Sequence, residues 1–425
     1  MIRAEGPHQY FVIGDIHGKS GYHLGDEAMF QGALSYVARI LPGYEPVVLS
    51  WNPKEVADLY RVRAVRRYAS SKKAKWILVH LYNLFISTAY RITGRWLHVS
   101  LFRSTEAVRS MAQSAFVLHT GSGSWHNWGR TWHLLDIWIY LWCASLLRVP
   151  VLIVSQSLGP FETDSLRRWA TTLLAKWTLA RNNVRLITVR DRLWSYEFVS
   201  SIPFRGITAY ALDDSVWVNP ASDQQVSEFL LACGLGDAGP FMIVSLTPAS
   251  SGVAGARVAS ALDAFLEKHA ELRALFVPHV WPRADISVHD SVISRMRNKQ
   301  RAIAVRSFCD AGLLRGLTRR ARLVFSARYH GVVFACLEGV PAVAYAVDPV
   351  RCRKMCGVID MLGVSHVIVY NSAKDANDGL LPPLERAMQL LTPAGDSSHK
   401  EASICMSAAR SNERFVRRAL SQLCP

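Results

Sequence analysis

The stretch "ARLVFSARYHGVVFACLEGVPAVAYA", residues 321–346, decides how the chain is read. Its first apolar run, "ARLVFSA", lacks the alternation of a half-exposed strand and looks like a strand covered on both faces. A small-residue helical pattern led by Gly331 follows, closed by Gly339 and Pro341. The run "PAVAYA" then reads as a second strand. Strand, helix and strand in this order argue for a βαβ unit of a parallel sheet. Arg328 and His330 stand where the first strand hands over to the helix.

The same grammar extends in both directions. Upstream, "QYFVIG", "PVVLS", "AFVLH", "VPVLIVSQ" and "RLITV" read as strands, and "FMIVSL", "ALFVP" and "AIAV" add three more to the second half. Helix-like spans separate them. The series is interrupted near residues 218–240, where "NPASDQQVSEFLLACGLGDAGP" is polar and punctuated by Gly and Pro. The predicted organisation is α/β, with a Rossmann-like domain over residues 1–220 and another over residues 221–425, facing each other across a cleft. A final basic helix, "ICMSAARSNERFVRRALSQL", is placed in the second domain after a loop at residues 393–403.

Size and charge bound the function. At 425 residues the chain exceeds one ordinary domain. A formal net charge of +16 implies a polyanion, an anionic membrane surface or a negatively charged substrate as partner. Of the eight cysteines, Cys352 and Cys356 are four apart and do not form a zinc knuckle, so free thiols and no metal are expected. The N-terminus runs into a strand-like segment without a signal peptide pattern, and a cytoplasmic location is expected. The spans "WILVHLYNLFISTAY" and "LLDIWIYLWCASLL" are too short and too polar to cross a bilayer and read as buried or amphipathic helices. No recognition helix, zinc finger or RNP-like pattern supports nucleic-acid binding.

Four strand-end places could carry chemistry. The first is "GDIHGKSGYHLGDEAMFQGAL", residues 14–34. There Gly14, Gly18, Gly21 and Gly25 allow close backbone approach, and Asp26 and Glu27 open a helix. It is neither a Walker A loop nor a GxGxxG fingerprint, and a plain strand-to-helix turn is the competing reading. The second is "HTGSGSWHNWGRTWH", residues 119–133. Gly121, Ser122, Gly123 and Ser124 form a strand-end loop, and Trp125, Trp128 and Trp132 either stack on sugar rings or pack a core. The third is "ITVRDRLWSYE", residues 187–197. Arg190 there either holds a carboxylate or phosphate through paired hydrogen bonds, or pairs with Asp191 at a helix start. The fourth is the opening stretch, where Arg328 can bind an anion while His330 moves a proton near neutral pH. Downstream, Arg351, Arg353 and Lys354 add positive charge after the next strand, or form a solvated basic face.

Taken in order, these segments resemble the polysaccharide pyruvyl transferase family. The resemblance rests on "GYHLGDEAMFQGAL", "HTGSGSW", "VPVLIVSQSLGPF", "ITVRDRLWSYEF", "ALDDSV", "FVPHVWPRADISVHD" and "SARYHGVVFACLEGVPAVAYAVDP", and spans roughly residues 12 to 360. The order of the pieces, more than any one of them, carries it. It implies a GT-B-like fold and transfer of a pyruvyl group from phosphoenolpyruvate to a sugar, usually as a cyclic ketal, with release of phosphate. By motif match it implies Arg328 and His330 at the donor, with Arg190 as a first-domain counterpart. Gly25, Asp26, Glu27, Gly121, Ser122, Gly123, Ser326, Arg351 and Lys354 are the expected substrate-binding residues. No cofactor beyond the phosphoenolpyruvate donor is expected. The implied acceptor is a saccharide of a cell-surface polysaccharide, free or lipid-linked, met by peripheral association at the inner face of the plasma membrane. The sequence departs from the family pattern at three places: His23 and Leu24 precede Gly25 where an asparagine is common, Ser122 interrupts a usual glycine pair, and Tyr329 replaces a common leucine.

Two other readings stand beside this one. A GT-B-type glycosyltransferase using a nucleotide sugar would share the fold, and Glu338 is its candidate partner for a donor ribose. A non-catalytic basic protein of envelope assembly, or one that binds nucleic acid, would draw only on the charge.

Overall fold

Unbroken apolar runs become parallel strands when helices cover both faces of a sheet, and the chain builds two such sheets. The structure, a computed structural model, describes residues 8–68, 73–96, 105–120, 125, 131–159, 161, 165–236, 239–375, 379–390 and 413–423, with the backbone alone at 73, 131–133, 165 and 193. The first sheet comprises β1 (Gln9–Ile13), β2 (Glu45–Ser50), β3 (Arg63–Arg66), β4 (Val117–His119), β5 (Val151–Gln156), β6 (Val184–Val189) and β7 (Ile207–Tyr210). The second comprises β8 (Phe241–Ser245), β9 (Arg273–Phe276), β10 (Ala302–Ala304), β11 (Leu323–Ser326), β12 (Ala342–Ala346) and β13 (Val367–Asn371).

Every pairing among these strands is parallel. The orders are β3-β2-β1-β4-β5-β6-β7 and β10-β9-β8-β11-β12-β13. Both are doubly wound in the Rossmann manner, and the winding direction reverses between β1 and β4 and again between β8 and β11. Ligands of open α/β sheets bind outside the carboxyl ends of the strands at such a reversal. The opening stretch is the β11–helix–β12 unit, so Arg328 and His330 lie at the reversal point of the second sheet.

The two long apolar spans are helices Lys73–Thr93 and Thr131–Leu146. The second is central to the first core, with Leu134, Ile137, Trp138 and Cys143 buried beside Trp125. The second core gathers Leu262, Phe265, Phe276, Phe325 and Val343. Among the described residues no helix is long and apolar enough to cross a membrane.

Contacts divide the chain into two units, and the division differs from 1–220 and 221–425 at three places. One unit takes in Met1–Gly18, Met29–Asp214 and Arg410–Pro425, and the other Lys19–Ala28 and Ser215–Ala409. The change after Asp214 comes slightly earlier than the polar span suggested. The last helix, residues 413–421, belongs to the first unit: Val416, Ala419 and Leu420 bury there at helical spacing, and Arg39 lies 3.8 Å from Glu413. Residues 19–28 belong to the second unit because backbone bonds sew them to it. Leu24 N–H donates to His279 O at 2.8 Å, and Trp281 N–H donates to Tyr22 O at 2.9 Å.

Candidate functional site

The handover from β11 to helix Tyr329–Glu338 is made by one hydroxyl. Ser326 Oγ accepts from Arg328 N–H at 3.1 Å and donates to Arg328 O at 2.8 Å, tightening the turn. Ser326 is fully buried, so its hydroxyl serves the turn. A Cβ on Gly331 would lie 2.4 Å from that oxygen, and only glycine lets the helix start so close. The turn leaves Arg328 at the N-cap position and His330 buried in the first turn.

Arg328 is aimed by Asp285. Its Nε donates to Asp285 Oδ2 at 3.0 Å and its Nη2 to Oδ1, forming a bidentate fork. Asp285, fully buried in the first turn of helix Ala284–Ile293, also accepts from the backbone N–H groups of His279 (2.9 Å) and Val280 (3.0 Å). The carboxylate is therefore fixed before it meets the guanidinium. Nη1 of Arg328 has no hydrogen-bond partner among the described residues, and the side chain stays 16% exposed.

Histidines surround this pair. His279 is held neutral far below the usual imidazole range, first by burial and then by Arg328, His330, His23 and His289. Burial likewise pushes His289 down to about 4, with Asp285 opposing and Arg328 adding to the shift. The two neutral rings have different surroundings. His289 Nε2 accepts from Leu246 N–H at 3.1 Å, whereas His279 Nε2 is buried without a hydrogen-bond partner among the described residues.

The early glycine loop closes on the same place. A Cβ on Gly25 would lie 2.2 Å from His330 Nδ1 and 2.4 Å from Cε1, so the imidazole packs directly on the glycine backbone. Asp26 sits 3.0 Å from His23 Nδ1, and Glu27 is fully buried. The structure thus brings Gly25, Asp26 and Glu27 into one unit with Ser326, Arg328 and His330.

Arg351 follows the end of β12 and pairs with Asp348, the cap of helix Pro349–Leu362. Lys354 lies one turn further along that helix and is half-buried, whereas Arg353 is exposed. Glu338 is at the opposite end of its helix from His330. It is bonded to Arg315 Nε at 2.6 Å, and the same arginine holds the carbonyl of Val216 at 3.0 Å. Glu338 is therefore part of a structural brace.

In the first unit, Arg190 leaves the end of β6 buried. Nε donates to Ser157 Oγ at 2.8 Å and Nη1 bonds Asp213. Its acidic partner is Asp213, not the adjacent Asp191. Asp191 instead caps the helical turn Arg192–Tyr196, accepting from Ser195 N–H at 2.8 Å. Burial, reinforced by Asp213, raises the Asp214 carboxyl well above the usual range, while its hydrogen bonds to Ser155 and Tyr36 oppose the shift. Trp125 is fully buried, packs against Trp138, and donates to His119 Nε2 at 2.8 Å. It is a core residue. Gly121, Ser122, Gly123, Ser124 and Trp128, and the side chain of Trp132, lie outside the described residues.

His279, Asp285 and His289 were not singled out as site residues in the sequence. They lie in "FVPHVWPRADISVHD", and the signal available there was an aspartate opening a helix after a proline-punctuated strand end. Among the described residues no group of three or more His, Cys, Asp or Glu side chains could hold a metal ion.

Comparisons with known proteins agree with this architecture. No curated protein matches the chain. Solved structures do. A putative UDP-N-acetylglucosamine 2-epimerase from Listeria monocytogenes aligns with TM-score 0.60 and 11% identity, over 97% of this chain and 95% of that one. The UDP-GlcNAc 2-epimerase of Methanocaldococcus jannaschii gives 0.60 and 10%, over 97% and 99%. Anabaena HepE in complex with UDP-glucose gives 0.55 and 12%, over 98% of each chain. At these identities the likeness shows a shared GT-B fold of two Rossmann-like domains. The sequence itself goes further: a family model matches residues 23–349, from the histidine before Gly25 to the helix after β12, and the chain belongs to the polysaccharide pyruvyl transferase family, a family of transferases.

Proposed function

We propose that the protein transfers a pyruvyl group from phosphoenolpyruvate to two hydroxyls of a saccharide, part of a cell-surface polysaccharide or its lipid-linked precursor. The observation that carries this reading is the Arg328–His330 pair at the end of β11, at the sheet's reversal point, in a chain of this family.

Phosphoenolpyruvate presents a carboxylate and a phosphate, and Arg328 is the cation we assign to one of them. The fork to Asp285 keeps its orientation, so little reorganisation accompanies binding. Proton transfer to the methylene carbon makes C2 electrophilic. One sugar hydroxyl attacks C2, the C2–O bond to phosphate breaks, and the second hydroxyl closes the ketal. Of the two hydroxyl protons, one is balanced by the new methyl group and one by the released phosphate. His330 is assigned the proton transfer, a role worth about 10²–10⁴-fold. His279, neutral and buried beside it, is a hydrogen-bonding group that adds no competing charge. Arg190 is retained as a first-unit residue implied by the family resemblance, held by Asp213 as Arg328 is held by Asp285. No cofactor beyond the donor is assigned.

The neighbours solved with UDP or UDP-sugars raise a nucleotide-sugar reading. Against it, Glu338 is engaged by Arg315 away from His330. Calorimetry with phosphoenolpyruvate and with UDP, on the wild type and on Arg328→Ala, separates the two. Saturable phosphoenolpyruvate binding lost in the variant is expected. Binding of UDP alone would overturn the donor assignment. An acceptor screen would then read the ketal by mass spectrometry.

A further inference from the structure

Two helices of the first unit turn apolar faces outward. In helix Ser165–Leu179, Leu166, Trp169, Leu173 and Trp177 are 47 to 72% exposed. Their three- and four-residue spacing puts them on one stripe. The inward side of that helix carries Thr171, Ala175 and Thr178. In helix Lys73–Thr93, Leu78, Leu81, Phe85 and Ile92 are 58 to 77% exposed and share a face, while His80, Asn83 and Ser87 are buried on the other side. Val79, Ile86 and Leu179 bury on the inner sides as well, so each helix is apolar on its outer face in addition to the face that meets the core. Contiguous exposed apolar patches of this kind mark interaction sites. Both helices pack against helix Thr131–Leu146.

Charge identifies the occupant. Neither outer helix contains an Asp or a Glu, and between them they carry Lys73, Lys75, Arg91, Arg167, Arg168 and Lys176. Where the three helices end, a pocket of about 520 Å³ opens, lined by Arg91, Arg148, Arg181, Arg185, Asn182 and Asn183. The guanidinium of Arg181 lies 3.8 Å over the ring of Trp177, joining pocket to stripe. Arg181 Nε and Asn183 Oδ1 are buried without hydrogen-bond partners among the described residues. Arg148 holds a left-handed φ of 59°, where a helix ordinarily ends in glycine. The pocket precedes β5 and β6, at the edge of the sheet opposite the strand ends that carry Arg190.

We propose that this face docks on an anionic bilayer. The two stripes enter the boundary between headgroups and acyl chains, and the arginine pocket takes a lipid phosphate. The inference concerns where the protein works and does not rest on the donor assignment.

The test is flotation of the full chain with phosphatidylcholine vesicles, with and without phosphatidylglycerol, at low and high salt. Binding to the anionic vesicles is expected, weakened by salt. Trp169→Ser with Leu173→Ser should weaken it at least about tenfold. Arg148→Gly with Arg185→Ser should weaken it about tenfold and erase the preference for phosphatidylglycerol. Arg148→Gly alone relieves a left-handed arginine, so its Tm should hold or rise, which separates lost binding from lost fold. No flotation with either vesicle, or equal flotation with both, would overturn the proposal. A wild-type dimer in solution that the Trp169→Ser, Leu173→Ser variant dissociates would also overturn it, assigning the stripes to a second copy.

Discussion

Gly25→Ala tests the packing on which the candidate site depends. By helix propensity alone, alanine in helix Leu24–Ile40 should stabilise by up to about 1 kcal/mol. The structure predicts the opposite. The new Cβ would lie 2.2 Å from His330 Nδ1, against an ordinary contact near 3.5–4.0 Å, so the ring or the helix must shift by more than about 1 Å. Overpacking of this kind costs about 1–3 kcal/mol, leaving a net loss of up to about 2 kcal/mol. At roughly 2–4 °C per kcal/mol, Tm should fall by up to about 8 °C. A displacement of about 1 Å at the reacting group should lower turnover about 10²-fold. The decisive assay is a double-mutant cycle by thermal or denaturant unfolding. On a His330→Ala background the ring is gone, and Gly25→Ala should then stabilise by up to about 1 kcal/mol. Destabilisation in both backgrounds, or in neither, would refute the contact as the cause.

Two further predictions concern buried charge. His279 and His289 stay neutral when folded but bind protons when unfolded below their ordinary value of about 6.5, so the unfolded state binds more protons and stability falls on acidification. From pH 7 to pH 5 each should cost about 2 kcal/mol at 1.36 kcal/mol per pH unit, and His289→Gln, which can still accept from Leu246, should remove about half of the combined loss in denaturant titrations at the two pH values. An unchanged pH slope would count against this assignment. In the first unit, Asp213→Asn should cost about 3–5 kcal/mol at neutral pH because it strands the buried guanidinium of Arg190. Burial raises the Asp214 carboxyl and disfavours its charged form, so Asp214→Asn should cost less than Asp213→Asn; equal costs for the two would refute this division of charge.

The sequence shows where apolar runs are unbroken, and those runs include every inner strand of both sheets and one edge strand, β10. β1, β2, β4, β5 and β6 are all visible as such runs, and so are β8 to β12. The strands not read from it are β3, β7 and β13, and each is an edge of its sheet. An edge strand has fewer covered neighbours, and "RAVR" and "ITAY" accordingly lack an unbroken apolar signature, whereas β13, "VIVYN", carries one that the reading passed over. The last helix was legible as a basic helix, but not its buried Val416, Ala419 and Leu420 nor the unit that covers them.

The site divides along the same line. Arg328 and His330 are legible because one turn of backbone places them at a strand end, and that geometry is local. Asp285 lies 43 positions away in the chain from the arginine it aims, and Gly25 is further still from the ring it admits. Local patterning cannot encode a partner brought in by tertiary contact. Nor could it find Asp213 as the anion for Arg190: the reading offered only the adjacent Asp191, and the fold selects a carboxylate 23 positions away. The sequence by itself determined two parallel α/β halves, a basic chain and the strand-end residues, because periodicity and charge are properties of the chain. The tertiary structure alone decided which carboxylate orients which arginine and which histidines stay neutral, because burial and through-space contact exist only once the chain is folded.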